Sequence, residues 1–387
     1  MLRCNILSIF LAFSLLAGAQ DWKVVRENPQ KAFPKTVAAG NYSGIAHLHD
    51  DIYAVVSDKS DSALYFNFRI QVNPKTGELE QVENLGFTER TDGTLNDGKF
   101  WQGQEKGFDH EAIVKASDST LVITSEGYCR LKEYPVLLTS ANAPKISYQQ
   151  NLLGEQMAFF LIFIQIIILS LWLLIPSVSI SGRFSESTLR KDGQPATPQN
   201  GLPNQLRLMR YDWGKIKENR NKENNGKEDR SEQESRKKAS RYMTAYAYQM
   251  DQPSTHKKAD IYVMGVSELC ALPDGQLLVL EREAFIPKIK IGAFCKCKLY
   301  QINPLNSEEF ALKEKFSSDT PFLKKRLLAE WKTGLSLSKR SFANYEGMCL
   351  GPKLEDGSQV VILLSDSQDQ YAGVLKDWFK TIVIRKE

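Results

Sequence analysis

The sequence predicts an all-β protein, a β-propeller-like array of about five to seven blades. Three observations lead there. First, four stretches repeat one another, beginning at Asn41–Ile45, Phe108–Ile113, Gly265–Leu269 and Asn344–Met348. Each leads to a second apolar stretch with a carboxylate near its end: Tyr53–Asp58, Leu121–Gly127, Leu277–Arg282 and Val360–Asp366. Second, the repeat starts at Gly44, Glu111, Glu268 and Glu346 are separated by 67, 157 and 78 residues, so the middle gap is about twice the others. One unit is hidden, with its first half due around residues 160–180. Self-similarity of this kind marks an array of like units. Third, short runs rich in Val, Ile, Tyr and Leu are bounded by Asp-Gly, Asn-Pro and Thr-Gly turns, and long amphipathic helical patterns are few. Multi-stranded units of this length close radially and leave only short edges. The N-terminal strand is available to pair with C-terminal strands and shut the ring. A large β-sandwich is the alternative, and it leaves the repeats unexplained.

Along the chain, residues 1–20 read as a secretory signal peptide. Arg3 gives the basic start, Ile6–Leu16 the apolar run and Ala17–Ala19 the small-residue cleavage site. The mature chain is expected to begin near Gln20 or Asp21 and to be periplasmic, secreted or associated with the cell envelope. Residues 21–387 are the propeller domain, with two interruptions. The first, 157–180, is an apolar, transmembrane-like segment with no charge between Glu155 and Arg183. It is long enough to span a bilayer, which makes a membrane its implied partner. The basic flank Arg183, Arg190 and Lys191 would put the second half of the chain in the cytoplasm. A span there leaves two repeats on each side and an open ring. Three readings stand: an anchor, a very apolar buried element, or a stretch foreign to the fold. Just beyond it, Phe184–Thr188 resembles the Thr-Ser-Glu ending of the second repeat, with Glu186 in the carboxylate position. The second interruption, 217–241, is a charged loop whose residues 217–238 contain no apolar side chain. Such a segment buries too little surface to fold and is expected to be disordered.

Composition is that of an ordinary globular protein, 42% apolar and 25% charged, with a net charge of +4 spread along the chain. It offers no argument for a nucleic-acid partner, and nothing specifies an oligomer. Five cysteines follow the leader: Cys129, Cys270, Cys295, Cys297 and Cys349. The number is odd and the domain large, so they read as small buried apolar residues, with Cys270 and Cys349 near one another. Cys295 and Cys297 lack the second pair a zinc site needs.

The chemical signal is the set of carboxylates at repeat ends: Glu111, Glu126, Glu186, Glu268, Glu281 and Glu346, with Asp58 and Asp366. In a propeller, matched positions surround one axis, so these groups converge. Carboxylates held together either raise a pKa or bind a cation. Calcium, with six to eight oxygen ligands, suits such a ring, and would hold phosphate oxygens and stabilise charge during attack by water. Expected metal ligands are Glu111, Glu126, Glu268, Glu281, Glu346 and Asp366; expected catalytic residues are Glu126, Glu346 and Glu111. The competing reading has each carboxylate accepting backbone N–H bonds or pairing with Arg130, Arg282 or Lys59. His110, beside Asp109 and Glu111, is a further base or ligand candidate. Gly93–Lys99 has P-loop spacing, but Phe100 replaces the hydroxyl residue that holds magnesium. No covalent nucleophile is visible.

At these residues the chain resembles the phytase-like family described as "esterase-like activity of phytase". The likeness lies in Asp109–Ala112 with Thr124–Gly127, in Val266–Leu269 with Leu278–Arg282, and in Asn344–Met348 with Leu364–Asp366. It covers roughly residues 38–150 and 183–387. It implies a propeller with recurring glutamates, one of them catalytic, acting on a small phosphorylated substrate. The chain departs from the pattern at 157–180, where an Asn–Phe–Glu-type repeat start is due. A non-enzymatic propeller that binds a ligand or partner at the cell envelope is the alternative, because the fold serves many functions.

Overall fold

The computed structural model describes residues 21–58, 65–87, 110–117, 120–125, 130–135, 149–150, 164–168, 179–183, 188–189, 192–212, 243–311, 314–336, 340–368, 370 and 375–387. Within them the chain forms five antiparallel sheets. Blade 1 holds β3 (Tyr42–His49), β4 (Ile52–Ser57), β5 (Phe66–Val72) and β6 (Leu79–Phe87). Blade 2 holds β7 (His110–Ser117), β8 (Thr120–Ser125), β9 (Arg130–Pro135) and β10 (Gln149–Gln150). Blade 3 holds β11 (Ile164–Ile168), β12 (Ser179–Arg183), β13 (Gln205–Asp212) and β14 (Met243–Gln249). Blade 4 holds β15 (Ile261–Ala271), β16 (Leu277–Ile286), β17 (Phe294–Ile302) and β18 (Lys325–Gly334). Blade 5 joins β19 (Asn344–Lys353), β20 (Gln359–Asp366) and β21 (Trp378–Lys386) to β1 (Trp22–Glu27), with the short β2 (Lys31–Ala32) also on β21.

The first strand of each blade lies innermost. β3 neighbours β7, β7 neighbours β11, β11 neighbours β15, β15 neighbours β19, and β19 returns to β3, which closes a ring. Blade 5 takes its outer strand from the other end of the chain: Trp22 pairs with Lys386 and Glu27 with Ile382. Asn28 donates to the Thr381 hydroxyl at 3.0 Å, and the Lys380 ammonium donates to the Asn28 carbonyl at 2.8 Å. Both ends of the domain are thus fixed in one sheet, and that sheet loses a free edge.

The sequence pattern explains why the core lies between blades. Central strands such as β16 and β20 are buried almost throughout, and their runs Leu277–Leu280 and Val360–Leu364 are apolar on both faces, as strands packed on two sides must be. Tyr42, Phe66 and Phe68 of blade 1 share one cluster with Cys349, Val360, Ile362 and Phe379 of blade 5. Leu278 and Leu280 of blade 4 meet Met348, Leu363 and Ile382 of blade 5. The segment after β17 covers the outer edge of blade 3: the Phe310 N–H donates to the Ala245 carbonyl, and the Leu323 N–H to that of Ala247.

The hidden unit is blade 3. Its inner strand β11 lies inside the 157–180 segment and pairs with β12 from Ile164↔Arg183 to Ile168↔Ser179. Among the described residues no helix is long and apolar enough to cross a membrane. The rest of 157–178, the leader 1–20 and the charged loop 217–241 lie outside the described residues, as does Gly93–Lys99.

Candidate functional site

The site grows from an irregularity shared by inner strands. The β3–β4 register shifts between Tyr42 and Gly44, β7–β8 between His110 and Ile113, β15–β16 between Val266 and Glu268, and β19–β20 between Tyr345 and Gly347. Each repeat start is therefore a β-bulge, a device that re-aims side chains and sharpens local twist. The residues before the bulges face Ser57, Ser125, Glu281 and Ser365. The next residues along the second strands are Asp58, Glu126, Arg282 and Asp366.

This register separates carboxylates that the sequence set in one series. Glu281 occupies the serine position, and Arg282 stands where the other blades carry Asp58 and Asp366. Because strand side chains alternate, a one-residue offset sends a side chain to the other face. Glu268 is likewise offset: it faces Leu280, as Gly44 faces Val56 and Gly347 faces Leu364. The position of Glu111 and Glu346 is filled by Ser43 in blade 1 and Ser267 in blade 4.

Glu346, Asp366, Asp58 and Arg282 gather at the end of the ring where inner strands begin. Glu346, 8% exposed, and Arg282, 5% exposed, form a buried ion pair. Asn344 bridges them: its amide donates to Glu346 at 2.6 Å and its oxygen accepts from Arg282 at 2.9 Å. Asn344 lies opposite Asp366 in the ladder. Burial lifts the Asp366 carboxyl well above the usual carboxylate range, and the charges of Glu346 and Asp58 push it the same way. The Gln368 N–H, donating to Asp366 at 2.8 Å, opposes them.

Glu268 has a different role. It is 1% exposed and accepts the Leu269 N–H at 2.8 Å and the Met348 N–H of the neighbouring blade. Burial holds its carboxyl well above the ordinary value, with a smaller push from Glu346. It fills the space between β15 and β19. At the equivalent position a Cβ on Gly347 would lie 2.9 Å from the Ser43 oxygen of β3, and one on Gly44 would lie 2.9 Å from the Glu111 oxygen of β7. Glycine lets those inner strands touch.

Glu281 turns toward blade 3. It accepts the Tyr248 hydroxyl and the Lys325 ammonium, each at 2.6 Å. Lys325 also pairs with Asp251 at 2.8 Å, and Lys298 pairs with Asp251 as well. Burial raises the Glu281 carboxyl and the Lys325 charge opposes it, whereas the Lys298, Lys325 and Tyr300 bonds hold Asp251 well below the carboxylate range against its burial. Asp251, Glu281 and Lys298 of this network line a cleft with Arg282, Glu283 and Lys296.

Glu111 is buried on β7. His110 is buried too, and its carbonyl accepts the Ser43 hydroxyl at 2.5 Å. Glu126 and Glu186 lie outside the described residues. Among the described residues no three His, Cys, Asp or Glu side chains come together closely enough to hold a metal ion. The expected ligands Glu268, Glu281 and Glu346 therefore do not share one cluster among the described residues. Cys270, Cys295, Cys297 and Cys349 are free and buried, and Cys270 lies close enough to Cys349 to push its thiol up, after burial. The sequence named Arg282 only as a pairing partner for the acids, which it is for Glu346, and missed that it holds a ring position itself. Counting positions from the apolar strand, rather than from the nearest carboxylate, would have found it.

The family model "Phytase-like: Esterase-like activity of phytase" matches residues 37–151 and 183–368. No curated protein matches the chain. Among solved structures, virginiamycin B lyase from Staphylococcus aureus is similar at 9% identity, covering 94% of this chain and 99% of that one, with a TM-score of 0.31. A luciferin-regenerating enzyme is similar at 7% identity, covering 92% of this chain and 94% of that one, with a TM-score of 0.30. The β-propeller domain of Cps50 (Swd1) from Myceliophteria thermophila is similar at 8% identity, covering 91% and 99%, with a TM-score of 0.31. The five sheets closed in a ring are a β-propeller, and the family match spans well over half of the chain and stops on either side of the apolar segment, so the chain belongs to the phytase-like family.

Proposed function

We propose that the chain is an exported phosphoester hydrolase acting on a small phosphorylated substrate at the Glu346–Arg282–Asp366 cluster. The observation that supports this most is an arginine at the ring position where other blades carry acids. A guanidinium fork matches phosphoryl oxygens, and Asn344 holds it in place. Asp366 supplies the complementary group: a buried carboxyl beside Glu346 and Asp58, held above the usual carboxylate range, is suited to act as a general acid. In the proposed step, water attacks phosphorus as the ester P–O bond breaks. Glu346 accepts the water proton, and Asp366 gives its proton to the leaving oxygen. Cleavage of the leader near Gln20 leaves β1 intact to close blade 5.

One observation favours the second reading, a non-enzymatic propeller that binds its ligand at the cell envelope. Arg282 and Glu346 are buried and satisfy each other, so a substrate must displace that pairing. Phosphate release from phytate and from an aryl phosphate separates the two, measured with calcium and then with chelator. Turnover supports the hydrolase, and loss in chelator assigns a role to calcium. Tight ligand binding by folded protein without release supports the binding propeller. N-terminal sequencing of the mature protein checks export: a start other than near residue 20 refutes it.

A further inference from the structure

We propose that the β16–β17 turn docks the propeller on an anionic lipid surface. Three of the most exposed large apolar side chains on the described surface converge there. Ile289 is 74% exposed and Ile291 is 47% exposed, both in the turn, and Ile261 is 49% exposed on the adjoining strand, paired with Ile286. The turn is tightly built. The Lys290 N–H donates to the Pro287 carbonyl at 2.8 Å, and Lys290 and Gly292 take left-handed backbone conformations, with φ of 63° and 89°. The Gly292 N–H donates to Leu335 at 2.8 Å, tying the turn to the next loop. The isoleucines are therefore presented by a fixed backbone at the tip of blade 4.

The surrounding charge indicates what covers them. Lys288 lies between Pro287 and Ile289 and is exposed, as are Lys257 and Lys258 in the strand connection beside Ile261. Lys290 is half-buried, and the acid it meets is Asp260, at 3.3 Å. An apolar tip set among lysines matches the boundary between anionic headgroups and acyl chains. There, apolar insertion and attraction to negative lipid act together, and neither alone anchors well. A protein partner would need to match both features, whereas an anionic bilayer presents both everywhere. The tip lies at the end of the ring that carries Arg282, since β16 runs on from Arg282 to Ile286 toward it. Docking would therefore set the candidate site toward the membrane.

The test is co-sedimentation of the purified full chain with vesicles of phosphatidylcholine, with and without phosphatidylserine. Compared with it are I289D/I291D and K288E/K290E, each checked for an unchanged melting temperature. The expected result is binding to phosphatidylserine vesicles that falls at least tenfold in each variant and weakens in salt, as surface electrostatics must. Equal binding by I289D/I291D would place the contact elsewhere and overturn the proposal. So would no binding by the unaltered chain. Self-association abolished by I289D/I291D, without vesicle binding, would make the occupant a second copy of this chain and also overturn it.

Discussion

Blades 4 and 5 share a bulged inner strand and an apolar second strand, yet they hold opposite charges at the ring. In blade 5 the bulge carries Glu346, glycine follows, and the second strand ends in Asp366. In blade 4 the bulge carries Ser267, Glu268 follows, and the second strand delivers Arg282. The acids of blade 4 sit one residue out of phase. One is wedged between blades and the other faces the Lys325–Asp251 network. A repeat fixes where side chains emerge, and a single-residue offset decides what they touch.

The largest expected effect comes from separating the two blades' charges. Arg282→Leu leaves Glu346 buried without its cation and is expected to cost about 3–5 kcal/mol in urea unfolding. Adding Glu346→Leu should restore most of that. A double variant no more stable than the single would show that the pair does not link the blades.

Next in size is the glycine that lets inner strands touch. Gly347→Ala puts a Cβ 2.9 Å from the Ser43 oxygen and is expected to cost about 2–3 kcal/mol, read as a lower urea midpoint. A neutral result would mean β19 and β3 can move apart freely.

A smaller effect separates Glu268 through pH. Its folded pKa lies above the ordinary 4.5, so the folded state binds the proton more tightly than the unfolded chain. Its contribution is full below pH 4.5 and is lost as pH rises through the folded value. Urea midpoints should fall with rising pH from about 4.5 upward, and Glu268→Gln should flatten that fall while leaving the residual slope from Asp366, which has the same sign. An unchanged slope in Glu268→Gln would remove Glu268 from the account.

Much of the fold was legible because the blade repeat is local: two apolar strands, a turn and an acid recur in Tyr42–Asp58, Gly265–Arg282 and Asn344–Asp366. Ring closure was legible too, from an N-terminal strand with no partner nearby in sequence. Blade 3 was hidden because Ile164–Ile168 lies inside a long uncharged, mostly apolar run, where hydrophobicity alone does not distinguish an inner strand from a membrane span. The site was legible by residue type and misread by phase. Glu281 and Glu268 look equivalent to Glu126 and Glu346 when acids are aligned on acids. A bulge leaves no composition signature, so the offset emerges only from strand pairing. Arg282 then reads as a neighbour of the motif rather than as its ring residue.

The most direct measurement is phosphate release by Glu346→Gln, Asp366→Asn and Glu281→Gln, compared with the unaltered chain. The two ring variants are expected to lose about a hundredfold in kcat/KM, while Glu281→Gln changes it by no more than about threefold. Equal loss in Glu281→Gln, or full activity in Glu346→Gln, would contradict the assignment of the site to the Arg282 face of the ring.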